Sequence, residues 1–163
     1  MLRKSSKFGL IVAALLQIPG CGKPAYFVAK EEPWRANEER LCLASGTLRN
    51  NPFVSARSAL GGPAPCGAIR PLYVSAAVRG SVGLKPQATL SCPMVPATDH
   101  WVQTAVVPAA RHYFGVDVVE LQVAASYSCR PRNGIAGGRL SEHGHANALD
   151  ISGFLLADGR RVT

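Results

Sequence analysis

Five cysteines, Cys21, Cys42, Cys66, Cys92 and Cys129, constrain this 163-residue chain more than any other feature. Whether they pair depends on compartment, and the N-terminus bears on that. Arg3, Lys4 and Lys7 precede a mostly apolar run from Phe8 to Ile18. The run is too short to span a bilayer, so residues 1–20 read as a signal peptide. Ile18-Pro19-Gly20-Cys21 then looks like a bacterial lipobox, which would make Cys21 the lipid-bearing first residue of the mature protein. Pro19 is unusual in that position, and ordinary cleavage nearby is the alternative. With Cys21 set aside, Cys42, Cys66, Cys92 and Cys129 are an even set suited to two disulfides in an oxidising periplasm. Three pairings are open. Two rival readings are reduced cysteines buried in a cytosolic protein, and a thiol nucleophile at Cys129 working with His143. The signal segment opposes the first, and the second would strand an odd cysteine.

Charge narrows the partners only a little. The three basic residues of the leader belong to a total of 18, so the mature chain keeps 15 against 10 acidic residues, a net of +5. A basic surface of this size suits an anionic wall or membrane. No basic run interleaved with aromatics points to nucleic acid.

Residues 21–40 read as a polar tether, charged from Lys30 to Arg40 and interrupted by Pro24 and Pro33. The domain is expected over 41–163, a length suited to a single core. Residues 44–97 are rich in Gly, Pro, Ser and Ala, and Gly61 to Gly67 is a loop that Cys66 should staple. Regular structure is clearer after Cys92. Asp99 can cap a helix through Trp101, Ala105, Val106, Ala109 and Tyr113, with Pro108 kinking it or starting a second segment and Gly115 ending it. Val119, Leu121, Val123 and Ala125 alternate as a strand with one buried face. Ser126 to Gly138 is a loop. Ala148 to Leu156 is a second strand, and Ala157-Asp158-Gly159-Arg160 turns into Arg161-Val162-Thr163. The expected fold class is α+β, a small antiparallel sheet with helices packed on it. A returning arm that short gains few cross-strand pairs, so a C-terminally truncated chain is expected.

The chemistry is concentrated between Ser141 and Asp150. A histidine in a loop, followed seven positions later by an aspartate on a strand, can converge on one cation, since imidazole nitrogen and carboxylate oxygen both suit zinc. Taken alone, that spacing is better read as a polar loop leading into a strand whose Asp150 makes local hydrogen bonds.

Ser126-Tyr127-Ser128-Cys129-Arg130, then Ser141-Glu142-His143, then Asn147-Ala148-Leu149-Asp150-Ile151 resemble the bacterial extensin-like C-terminal domain family from about Cys42 onward. The Ser-Pro repeats of plant wall extensins are lacking. That family looks related to the zinc peptidases that include D-alanyl-D-alanine carboxypeptidases, lysostaphin and the hedgehog signalling domain. Their pattern is Ser-x-His-x-x-Gly-x-Ala-x-Asp. Ser141, His143, Ala148 and Asp150 match it, and Ala146 stands where glycine is usual.

The resemblance implies roles. His143 and Asp150 would be zinc ligands. Ser141 would orient the ligand loop from behind, or simply cap it. Arg130 would hold a substrate carboxylate or an oxyanion, against the plainer reading of an exposed loop arginine, with Arg132 a weaker candidate. The peptidases take a third ligand from a later His-x-His strand, and none follows Asp150 here, so a zinc site is expected to be partial and its zinc weakly held or absent. His145 could substitute only if 143–145 were extended, which would put both rings on one side. His100 and His112 are expected on a helix surface. Glu142 is a conceivable base, though its direction beside His143 opposes the metal. Two functions compete: an exported zinc peptidase of peptidoglycan lacking a ligand, and a non-catalytic envelope domain that binds wall peptide or another partner. The membrane would be reached through lipid on Cys21.

Overall fold

The computed structural model describes residues 27, 32–49, 51–58, 60 and 66–163. The leader, Cys21 and Gly61 to Pro65 lie outside them.

The first helix, α1 (Pro33–Ser45), starts with proline in its first turn and stops at Gly46, which is left-handed at φ 70°. Proline at the start and glycine just past the end are the two residues a helix tolerates best at those places. The stretch read as a tether up to residue 40 is therefore helical from Pro33. What holds α1 down is polar as well as covalent. Buried Glu39 accepts the backbone N–H groups of Ile69 (2.8 Å) and Arg70 (3.0 Å), and Cys42 is bonded to Cys92.

The strands are β1 (Val54–Ala56), β2 (Leu72–Ala77), β3 (Val82–Leu90), β4 (Val118–Ala125), β5 (Asp150–Leu156) and β6 (Arg161–Val162). They form one sheet in sequential order. The fold is α+β as expected, with one departure: β3 and β4 run parallel, and every other neighbouring pair is antiparallel. A parallel pair needs a long crossover, and the helical segment between β3 and β4 supplies it.

That segment consists of α2 (Met94–Trp101), a wider π-helical turn (Val102–Val106) and α3 (Val107–Phe114). The helix begins five residues before Asp99, because Met94 and Val95 already donate to the carbonyls of Ser91 and Cys92. Asp99 caps nothing in its own helix. Its carboxylate accepts the Val78 N–H at 2.9 Å and steadies a turn in which Val78 and Arg79 have positive φ. Pro108 lacks an N–H, and the chain absorbs it in the wide turn without breaking the helix. Gly115 ends the segment at φ 72°.

Leu84, Leu90, Leu121 and Leu156 from the sheet meet Val95 and Val102 from the helices, all 2% exposed or less. Full burial of each such side chain contributes about 1.5–3 kcal/mol. The turn after β5 forms where expected, with Leu156 N–H donating to Arg160 O and Gly159 at φ 86°.

Candidate functional site

Between β4 and β5 the chain makes two excursions. The first is a narrow arm in which Arg132 N–H donates to Arg139 O (2.7 Å), Ser141 N–H to Arg130 O (3.0 Å), and Pro131 bridges Leu140. The second is a 3-10 turn, Glu142–His145, closed by Ala146 in the left-handed region at φ 53°. Distant backbone holds this turn on several sides. Gly67 N–H donates to Gly144 O (2.8 Å), Ser91 N–H to Ala146 O (2.8 Å) and Ser128 N–H to His143 O (3.1 Å). The Cys66–Cys129 disulfide ties two of those segments together. Gly144 permits the packing, since a Cβ there would lie 2.7 Å from a methyl of Leu140.

A 3-10 turn has three residues per turn, so positions 142 and 145 share a face and 143 points elsewhere. His143 is 7% exposed, with Nδ1 against the carbonyl of Ser126 at 2.5 Å. A carbonyl only accepts, so Nδ1 carries the proton. Nε2 faces Asp150 Oδ2 at 3.1 Å. Asp150 opens β5 opposite Ala125, beside one of the three places where the β4–β5 register shifts. Such irregularities re-aim side chains at the rim of a sheet. His143 and Asp150, named from sequence as a pair, are thus neighbours in space.

Ser141 is buried at the start of the turn, but its side chain caps nothing there; its backbone makes the contacts, including acceptance of the Gly144 N–H at 2.9 Å. Arg130 is half-buried, and its guanidinium has no ion-pair or hydrogen-bond partner among the described residues. Arg132 is exposed on the arm. His145 does not share a face with His143, because the segment is coiled where an extended strand would have been needed. His100 and His112 are exposed on the helices. Among the described residues no group of three or more His, Cys, Asp or Glu is arranged to hold a metal ion. Cysteine pairing, open in the sequence, is Cys42–Cys92 and Cys66–Cys129, so Cys129 is no free nucleophile.

On the opposite face of the turn, Glu142 takes a two-pronged contact from Arg35 of α1, with both N···O distances 2.7 Å, and a further hydrogen bond from Asn147 at 2.9 Å. Arg35 also bonds Glu32 at 2.7 Å. Burial works against the Glu142 charge, but the bonds from Asn147 and Arg35 and the Arg35 charge outweigh it, and the carboxyl sits below its ordinary range. Burial, aided by the Arg35 charge, pushes His145 below the ordinary histidine range, with Glu142 and Glu32 opposing. Glu142 is committed to α1 and is not free to serve as a base. Sequence reasoning missed Arg35 because residues up to 40 were taken as tether; Pro33 and Gly46, bracketing good helix formers, are the signal that would have found it.

A family model described as extensin-like protein C-terminus matches residues 40–163. No curated protein and no solved structure matches the chain.

Proposed function

The chain belongs to the extensin-like C-terminal family, whose model covers residues 40–163, and on that premise we propose that it is an exported envelope domain with a partial zinc-peptidase-like site directed at peptidoglycan peptide. The His143–Asp150 pair carries this reading. Zinc bonds of about 2.0–2.1 Å put two tetrahedral ligands about 3.3 Å apart, and Nε2 and Oδ2 stand 3.1 Å apart. The Ser126 carbonyl holds the proton on Nδ1 and so turns the Nε2 lone pair toward Asp150, the arrangement by which a backbone acceptor orients a metal-binding histidine.

The donors fit two corners of a tetrahedron and no more. A catalytic zinc takes three protein ligands and leaves one position open, and no third ligand joins the pair among the described residues. No hydrolytic step follows from two donors. Arg130, with no partner for its guanidinium among the described residues, supplies a fork suited to a peptide carboxylate. Two features support export: a basic and apolar leader, and two disulfides, which form and persist in oxidising compartments. Lipid on Cys21 would supply the membrane attachment. No helix among the described residues is long and apolar enough to cross a membrane.

The test is a zinc titration of the purified protein by calorimetry, followed by dialysis against a mild chelator. Weak binding that disappears in His143→Ala and Asp150→Ala supports the reading. One zinc per chain surviving dialysis would overturn the partial site, and binding unchanged in both variants would remove the pair from it. The second reading, a non-catalytic domain that binds wall peptide, is favoured by the lack of a third donor among the described residues. Incubation with purified peptidoglycan separates the two, by release of soluble peptide or by co-sedimentation without release.

A further inference from the structure

A groove separate from the His143–Asp150 pair runs between α1 and the opposite face of the 3-10 turn. The described residues enclose about 630 Å³ there, with Trp34, Glu38, Ile69, Ser91, His145 and Asn147 on its walls. That size falls in the range of small-molecule sites, which combine mostly apolar walls with a few polar groups. Two of the large apolar side chains that the fold leaves exposed meet at this groove, Trp34 at 50% and Ile69 at 52%. Single exposed apolar residues are ordinary, whereas a group at the mouth of a groove calls for an occupant.

The chemistry of the walls restricts that occupant. Three acidic residues (Glu32, Glu38 and Glu39) and one arginine, Arg35, line the groove. Glu32 is bonded to Arg35 and Glu39 to backbone, but Glu38 is exposed and has no partner among the described residues. An unneutralised carboxylate disfavours phosphate or carboxylate ligands and favours ligands that donate hydrogen bonds. Arg35 stacks on the indole, 4.5 Å from the Trp34 ring centroid, and its charge repels a second cation from that ring. The same contact fixes the ring while half of the residue stays open. A fixed indole, a free carboxylate, and a hydroxyl and carboxamide from Ser91 and Asn147 complement a sugar ring, which offers a C–H face to the indole and hydroxyl donors to the carboxylate.

We propose that this groove binds a sugar ring of a neutral glycan, with Trp34 as its platform and Glu38 as its hydroxyl acceptor. The site uses neither His143 nor Asp150 and stands whether or not that pair holds zinc.

The experiment titrates the full chain with tetra-N-acetylchitotetraose, followed by tryptophan fluorescence and calorimetry, with trilysine as the comparison ligand. The expected result is saturable sugar binding that Trp34→Ala weakens by about tenfold or more, the loss of one buried stacking contact. Glu38→Gln should weaken it less, while Trp101→Phe leaves it within about twofold, a difference too small for a lost contact. Circular dichroism and thermal melting check that each variant is folded. No saturable sugar binding, or binding unchanged in both Trp34→Ala and Glu38→Gln, would overturn the proposal. Saturable trilysine binding in place of the sugar would overturn it too, and would reassign the groove to a cationic peptide.

Discussion

Arg35 of α1 grips Glu142 of the histidine turn with two hydrogen bonds of 2.7 Å, across 107 positions of sequence. It does so one residue away from His143, so the N-terminal helix helps set where the imidazole stands. The side chains are 19% and 36% exposed, between a surface pair and a buried one. Arg35→Ala should therefore cost about 1–2 kcal/mol in denaturant unfolding. Amide exchange at Gly144 and Ser128 should quicken beyond what global destabilisation explains. Arg35→Lys keeps the charge but loses the fork, so it should recover only part of the loss. Equal exchange rates in all three proteins would show that the turn stands without the clasp.

The same contact sets a pH dependence. Glu142 titrates below its ordinary value of 4.5, with burial opposing and the bonds from Asn147 and Arg35 prevailing. The folded state therefore favours the charged form. Its contribution is complete above the range where the unfolded carboxyl titrates, and is lost as pH falls through the folded pKa. Unfolding midpoints from pH 7 to pH 3 should fall more steeply for the wild type than for Glu142→Gln. Parallel curves would remove Glu142 from the acid response.

Two cross-links, spanning 50 and 63 positions, bind α1 to the end of β3 and the Cys66 loop to the segment before Arg130. Peptide mapping of the unreduced protein should recover Cys42 with Cys92 and Cys66 with Cys129. Replacing either pair by serine should cost about 2–5 kcal/mol. Loss of Cys66–Cys129 should also weaken zinc or peptide binding, because that bridge anchors the segment whose Ser126 and Ser128 backbone meets His143. Four free thiols in protein purified without reductant would contradict both cross-links.

The parts legible in sequence are those set by neighbours along the chain. Val119 to Ala125 alternates and forms β4, Gly115 ends its helix, and Ala157 to Arg160 turns, each for local reasons. The pairing of cysteines was not legible, because it depends on which loops the sheet brings together. Nor was α1, whose attachment relies on a buried glutamate and a disulfide in place of an apolar stripe. His143 and Asp150, taken together in the sequence, stand side by side, but the turn between them was open to a wrong geometry. Extended backbone would have put His145 beside His143; bonds from Gly67, Ser91 and Ser128, all remote in sequence, coil it instead.

Ala146 holds a backbone conformation that favours glycine. Its φ is 53°, and it is fully buried while its carbonyl takes the Ser91 N–H. An L-residue in that region carries about 1–2 kcal/mol of strain. Ala146→Gly relieves it, but loses a buried methyl, about 0.8 kcal/mol, and gains freedom in the unfolded chain worth about 0.4–1 kcal/mol. These terms nearly cancel, so its unfolding free energy should stay within about 1 kcal/mol of wild type. Ala146→Val adds branching at Cβ in a left-handed, filled position and should destabilise by more than about 2 kcal/mol. A glycine variant as damaging as the valine variant would mean that the methyl, and not the backbone angle, governs this position.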